Sequence, residues 1–199
     1  MTIKKILWLG PKKPELADWL ETHGWLVFDT EGALSPEYPI LEEVDWLISY
    51  GYRHIIRPDV LALFPNRALN LHISYLPWNK GADPNLWSFL EDSPKGVTIH
   101  LIDEGLDTGP VLAQREVVFG PGHTLGTSYK LLCLEIESLF METWPLIAQE
   151  QIEAKMQTGE GSFHKVKHKA PFAHLLHSSW ETPVADLVGK GIKEPALIN

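Results

Sequence analysis

The sequence predicts an α/β fold on a mainly parallel sheet with both faces covered. Short apolar runs at 3–9, 25–28, 46–49, 68–74, 97–102 and 111–119 read as strands, and the run at 3–9 is near-continuously apolar, as a strand buried on both sides is. Helical patterns at 14–23, 58–64 and 85–91 separate them, and strand–helix–strand alternation is what a parallel sheet requires. The 199 residues suit one domain, with a tail after the last regular pattern, and a chain of that size buries roughly 70% of its unfolded surface.

In order along the chain, Gly10-Pro11 stops the first strand, and Leu16, Trp19 and Leu20 then share one helical face that Gly24 closes. Residues 30–45 contain several glycine and proline breaks and no period, which predicts a loop. Pro58 stands at the first turn of a short helix. The longest helix is expected over 124–151, where Leu125, Tyr129, Leu132, Ile136, Leu139 and Phe140 recur at helical spacing, with Pro145 expected to kink or interrupt it. After Gly159 the pattern weakens into a tail rich in His, Lys, Pro and Gly. No internal repeat is visible.

Composition narrows the function. Hydrophobic residues make up 44% and the formal charge is −9, so broad binding to a nucleic-acid backbone is disfavoured, although a local basic patch is not. The single cysteine, Cys133, cannot form an internal disulfide and sits in the apolar pattern of the long helix, where it reads as core. The apolar run near the N-terminus is too short to span a membrane and lacks a signal-peptide cleavage pattern, which gives a cytoplasmic expectation with no membrane partner. Nine histidines show no tight ligand spacing with Cys or acids, so no metal site is expected.

Two segments stand out chemically. Along the strand at 68–74, Leu69, Leu71 and Ile73 fall on one face and Asn70, His72 and Ser74 on the other. Three aligned polar groups on a strand expected to be buried need partners or a cavity. A satisfied polar network and a reactive site are both open on that ground. The second segment, Asp103-Glu104-Gly105-Leu106-Asp107-Thr108-Gly109-Pro110, reads as a turn, or as a loop that aims one acid inward. A carboxylate beside a histidine would favour imidazolium and fix its orientation. That Asp107 meets His72 does not follow from the sequence.

Asn70-Leu71-His72-Ile73-Ser74-Tyr75-Leu76-Pro77, followed by Gly81-Ala82-Asp83-Pro84, resembles the Asn-x-His…Leu-Pro…Gly signature of the folate-dependent formyltransferases. That family includes glycinamide ribonucleotide, methionyl-tRNA and sugar-nucleotide N-formyltransferases. Gly96 to His100 and then Asp103 to Gly109 are similar to its second signature, and Ser49-Tyr50-Gly51 before Ile55-Ile56 is similar to the strand and loop that flank its pterin pocket. The resemblance covers about 44–150, and the run from Tyr75 to Trp87 looks most like the sugar N-formyltransferase branch.

The resemblance implies a Rossmann-like formyltransferase fold with a shortened N-terminal half, a catalytic domain over 1–158 and a C-terminal extension over 159–199. It implies a formyl donor, N10-formyltetrahydrofolate, no metal, and a primary amine acceptor, most similar to a nucleotide-linked amino sugar. It carries catalytic roles to Asn70, His72 and Asp107, with a protonated His72 kept charged by Asp107. Donor contacts fall on Tyr50, Gly51, Ile55, Ile56, Asp103, Gly105 and Leu106. Acceptor contacts fall on Ser74, Tyr75, Trp78, Lys80, Gly81 and Asp83. A homodimer through the helix surface near 125–147 is the family-based expectation.

The chain departs from the family at its front. The usual extra strand and helix between Phe28 and Trp46 are missing, and Gly10-Pro11-Lys12-Lys13 is not a run of amides able to cradle phosphate, which weighs against a glycinamide-ribotide substrate. No second, barrel-like domain is evident, which weighs against a full tRNA formyltransferase. The stretch Gly161-Ser162-Phe163-His164-Lys165 is open to two readings, a feature similar to the sugar branch or a disordered basic end. Other amine acceptors, hydrolysis of the donor, and a binding protein without turnover remain the alternatives.

Overall fold

The computed structural model describes residues 3–191. Residues 192–199 of the expected extension lie outside the described residues. The main sheet has six strands in the order β2-β1-β3-β4-β6-β7. These are β1 (Lys4–Leu9), β2 (Trp25–Thr30), β3 (Trp46–Ser49), β4 (Ala68–His72), β6 (Gly96–Leu101) and β7 (Val111–Glu116). The first three pairings are parallel, while β4–β6 and β6–β7 are antiparallel. The sheet is therefore mostly parallel, with an antiparallel flank. That flank arises because the chain between β4 and β6 makes no full crossover.

The helices are α1 (Pro14–Thr22), α2 (Pro58–Leu61), α3 (Pro84–Leu90) and α4 (Leu125–Ile147). A second, two-stranded parallel sheet joins β5 (Lys80–Gly81) to β8 (Phe163–His164). α2 is shorter than the expected 58–64, the rest being turns closed by Leu63 and Phe64 N–H groups on carbonyls three residues back. α4 is not broken at Pro145. It runs through to Ile147, because a proline in the last turn removes a single intrahelical hydrogen bond. Its start is fixed by a capping box, in which the Thr124 hydroxyl accepts from the Thr127 N–H at 3.2 Å and the Thr127 hydroxyl accepts from the Thr124 N–H at 2.8 Å.

Strand alternation sorts the core. Ile6, Trp8, Ile48, Leu69, Leu71, Val97 and Ile99 face α4, which answers with Leu132, Ile136, Leu139, Phe140 and Trp144. On the opposite face, Leu7, Leu9, Leu47 and Ala68 pack against Leu34, Leu41, Val44, Ile56, Val60 and Phe64. The segment 31–45 forms neither strand nor helix, as expected, yet three of its side chains fill this second core. The extension does not stand apart as a solvated end, since Val184 and Leu187 pack with Leu86, Phe89 and Leu90 of α3.

Candidate active site

The polar face of the antiparallel flank holds the site. Asn70 lies opposite Ser49 of β3 and His100 of β6, and His72 lies opposite Thr98. All project from the face away from α4. A bulge between Ile99 and His100 interrupts the β6–β7 register beside this cluster.

β6 ends at Leu101, beside Leu69 near the start of β4, so the following loop has to double back over the sheet to reach His72. It does so at Asp107, which adopts φ +56°, a left-handed conformation that aspartate tolerates better than most residues. Two anchors hold it: the Gln157 side-chain amide donates to the Asp107 and Gly109 carbonyls, both at 2.9 Å. Asp103 shapes the other end by accepting from the Gly105 N–H at 3.0 Å and the Thr108 hydroxyl at 2.7 Å.

The Asp107 carboxylate is the hub. Oδ2 accepts from the Gly81 N–H at 2.8 Å and faces His72 Nε2 at 3.8 Å. Oδ1 accepts from Asn70 Nδ2 at 3.3 Å and faces His100 Nε2 at 3.6 Å. His100 Nδ1 lies 2.7 Å from the Leu101 carbonyl, which can only accept, so Nδ1 donates and Nε2 is left toward Asn70 at 3.3 Å. His72 is buried, 8% exposed, and its Nε2 has no hydrogen-bond partner among the described residues. A buried ring nitrogen left unpaired costs stability unless something in the working state occupies it.

Electrostatics weigh against the expectation of a charged histidine. Burial pushes the His72 imidazole below the ordinary histidine range, and neither the Asp107 charge nor the main chain at Asn79 offsets it. Burial therefore favours the uncharged ring. Burial works to raise the Asp107 carboxyl, but His72, His100 and the Gly81 N–H outweigh it and hold the group well below the usual carboxylate range. With His72 neutral, the Gly81 and Asn70 donors are what remain to keep the carboxylate ionised.

Asn70, His72 and Asp107 are thus brought together, with Gly81 joined to them. Several other expected residues are placed differently. Tyr50 follows Trp46 and Ile48 in alternation, so its side chain lies on the α4 face, edge-on to Trp8, with its hydroxyl donating to Glu137 at 3.1 Å. Its ring is not available to a pocket on the other face. Ile55 and Ile56 separate, the first 82% exposed and the second in the core behind β1 and β3. Gly51 lies exposed just after β3, and Leu106 is half exposed at the tip of the 103–109 loop. The strand carrying Asn70 ends at His72, so Ser74 does not continue its face. Its hydroxyl donates instead to the Trp78 carbonyl and closes the loop. Tyr75 packs beneath Gly96. Asp83 forms an ion pair with Lys169 through Oδ2 at 2.9 Å. Lys80 and Trp78 stay partly exposed on the loop next to Gly81.

Sequence reasoning passed over His100 as a site residue and Gln157 altogether. His100 carried a signal: on β6, Thr98 and His100 alternate with Val97 and Ile99, the same period that marks Asn70 and His72. Gln157 carried none, since it acts through contacts about fifty residues away in sequence.

Fold and cluster together define an α/β protein of the formyltransferase type. The chain belongs to the formyltransferase family: residues 38–143, more than half of it, match the family described as formyl transferase. Its fold is close to that of the formyltransferase PseJ from Anoxybacillus kamchatkensis, solved in complex with UDP-4,6-dideoxy-4-formamido-L-AltNAc and tetrahydrofolate. The two are 55% identical with a TM-score of 0.92, over 94% of this chain and 100% of that one. Among curated proteins, the methionyl-tRNA formyltransferase of Thermodesulfovibrio yellowstonii is 34% identical over 64% of this chain and 39% of its own length. That of Anaeromyxobacter dehalogenans strain 2CP-1 is 32% identical over 79% of this chain and 52% of its own. The chain spans about half or less of the length of these curated relatives.

Proposed function

We propose that the protein transfers the formyl group of N10-formyltetrahydrofolate to the amino group of a nucleotide-linked amino sugar. The similarity to PseJ carries this reading. It extends over the whole of that chain, whose complex holds a formamido sugar nucleotide and tetrahydrofolate. The unpartnered His72 Nε2 beside an ionised carboxylate supports it, because this is a group able to take up a proton.

In this mechanism the acceptor amine attacks the formyl carbon and negative charge grows on the formyl oxygen. Asn70 turns its amide from Asp107 toward that oxygen and stabilises the charge, a contribution of about 10²–10³ in rate for one such donor. Neutral His72 takes the proton that the amine releases, and Asp107, 3.8 Å away, stabilises the resulting imidazolium. The bond from the formyl carbon to N10 then breaks, the new amide remains on the sugar, and the proton passes from His72 to N10. His100 holds Asn70 and Asp107 in place from the neighbouring strand.

A cytoplasmic location and a homodimer complete the proposal. Exposed Tyr129, Leu134 and Leu146 on α4 support the second, and light scattering on the purified protein tests it. The central test is incubation with N10-formyltetrahydrofolate and a panel of UDP-linked amino sugars, read by product mass. One sugar gaining one formyl group is the expected result. Release of tetrahydrofolate with no formylated product would replace transfer by hydrolysis.

A further inference from the structure

The small β5–β8 sheet has no share in the main core, yet it bears on the site. Its strand β5 carries Gly81, whose N–H holds Asp107. β8 comes from 83 residues later in the chain, with Lys80 opposite Phe163 and Gly81 opposite His164. The Lys80 N–H donates to the Ser162 carbonyl and the Ala82 N–H to the His164 carbonyl, each at 2.9 Å. Gly81 sits at φ +87° with the His164 carbonyl where a Cβ would stand, so only glycine permits this approach.

The turn into β5 is held as firmly. Asn79 is fully buried. Its side-chain oxygen accepts from Ser93 Oγ at 2.9 Å, and its backbone N–H donates to Ser162 Oγ at 2.9 Å. Its side-chain amide donates to Glu91 Oε2 at 3.1 Å. The other oxygen of Glu91 faces His164 Nε2 at 3.0 Å, and His164 lies flat on Trp87 with ring centroids 3.7 Å apart. Glu91, at the end of α3, therefore touches both sides of the small sheet: the turn that leads into β5, and β8 itself.

We propose that Glu91 is a positioning residue for the Asp107–His72 pair: by tying Asn79 to His164 it sets the place of the Gly81 N–H and, through it, of the Asp107 carboxylate. Without that carboxylate the buried Asn79 amide keeps, among the described residues, only Ser162 Oγ at 3.3 Å, and β8 is held to α3 by the His164–Trp87 stack without the Glu91 contact. The turn is then free to relax, and the hub of the site moves with it. A shift of an ångström there is enough to slow a reaction that depends on alignment. The inference rests on the catalytic role given to Asp107 above, and its test includes a readout that does not.

The experiment compares Glu91→Ala and Glu91→Gln with the wild-type protein. Glu91→Ala should lower kcat at least about tenfold with KM for donor and acceptor within about twofold, and Glu91→Gln, which still accepts from Asn79, should restore most of the rate. Independently of activity, the Gly81 amide should exchange faster and shift in ¹H–¹⁵N spectra of Glu91→Ala, while amides of β1 and β3 stay put. Should Glu91→Ala fail to fold, Ser162→Ala removes the acceptor on the Asn79 N–H and is read in the same way. The proposal is overturned by an unmoved Gly81 amide, by a kcat loss that only tracks the unfolded fraction, or by a raised KM with kcat intact. If the wild type transfers no formyl group while the Gly81 amide still responds, the functional reading fails and the positioning geometry stands.

Discussion

The two flanks of the main sheet differ in what their faces touch. On the parallel side, β1 and β3 are apolar on both faces, with Ile6, Trp8 and Ile48 against α4 and Leu7, Leu9 and Leu47 against the second core. On the antiparallel side, β4 and β6 share the α4 core through Leu69, Leu71, Val97 and Ile99, but their other face carries Asn70, His72, Thr98 and His100. The same sheet is therefore a stability element at one side and a reactive surface at the other. Apolar residues on both faces supply burial at about 25 cal/mol per Å². One polar face gives up part of that and gains groups that are buried, aligned and incompletely paired. The loss is tolerable because α4 spans both flanks.

The sharpest way to break the comparison is to mutate each flank and ask whether activity or stability responds. His72→Ala should lower kcat by about 10²–10⁴ while thermal denaturation stays close to wild type. Near-normal turnover by a folded His72→Ala protein would remove the role given to that ring. Asp107→Asn keeps the shape of the hub and loses its charge, so kcat should fall by about 10² with the dissociation constant for tetrahydrofolate little changed. Weakened folate binding at normal kcat would instead make Asp107 a binding group.

Leu47→Ala, on the fully apolar flank, should destabilise the fold by about 2–5 kcal/mol in urea denaturation and leave kcat per folded molecule unaltered. A comparable loss of kcat would mean that the flanks are not separable.

Proton linkage gives a further contrast, because the shifted site groups are on the polar flank. His72 is depressed in the folded state, and it must be neutral to accept the amine proton. The acid limb of kcat/KM should thus show an apparent pKa below about 6.5. Both His72 and Asp107 bind protons more readily unfolded, so stability falls as pH falls. The His72 share is lost from about 6.5 down to its folded value, and the Asp107 share from about 4 downward. Urea midpoints measured across that range check the sign, and Asp107→Asn should flatten the lower part.

The smallest effect is expected at Tyr50. Tyr50→Phe removes the hydrogen bond to Glu137 on the α4 face and should cost about 1 kcal/mol, with kcat and KM within about twofold of wild type. A large rise in KM for the folate donor would return Tyr50 to the pocket.

Much of this was written in the sequence, for local reasons. The strands β1, β3 and β4, the helix α1 and the capped start of α4 follow from periodicity and from end signals within a few residues. Asn70 and His72 share a face because a strand alternates, and His100 could have been found by the same alternation on β6. The formyltransferase resemblance rested on short motifs whose residues the fold then gathers around Asp107.

What tertiary structure alone decided depends on contacts between distant segments. The direction of β6 hangs on whether the chain after β4 completes a crossover, and no local pattern reports that. The face on which Tyr50 lies required its strand's register against β1 and α4. Burial, which a sequence does not display, draws the His72 imidazole below its ordinary range against the pull of the neighbouring carboxylate. The small β5–β8 sheet pairs residues 80–81 with 163–164, so the backbone amide that holds Asp107 is placed by a segment that reads, residue by residue, as a basic tail. Local patterns set which side chains share a face, but hydrogen-bonding geometry and dielectric at the site come from parts of the chain that meet only on folding.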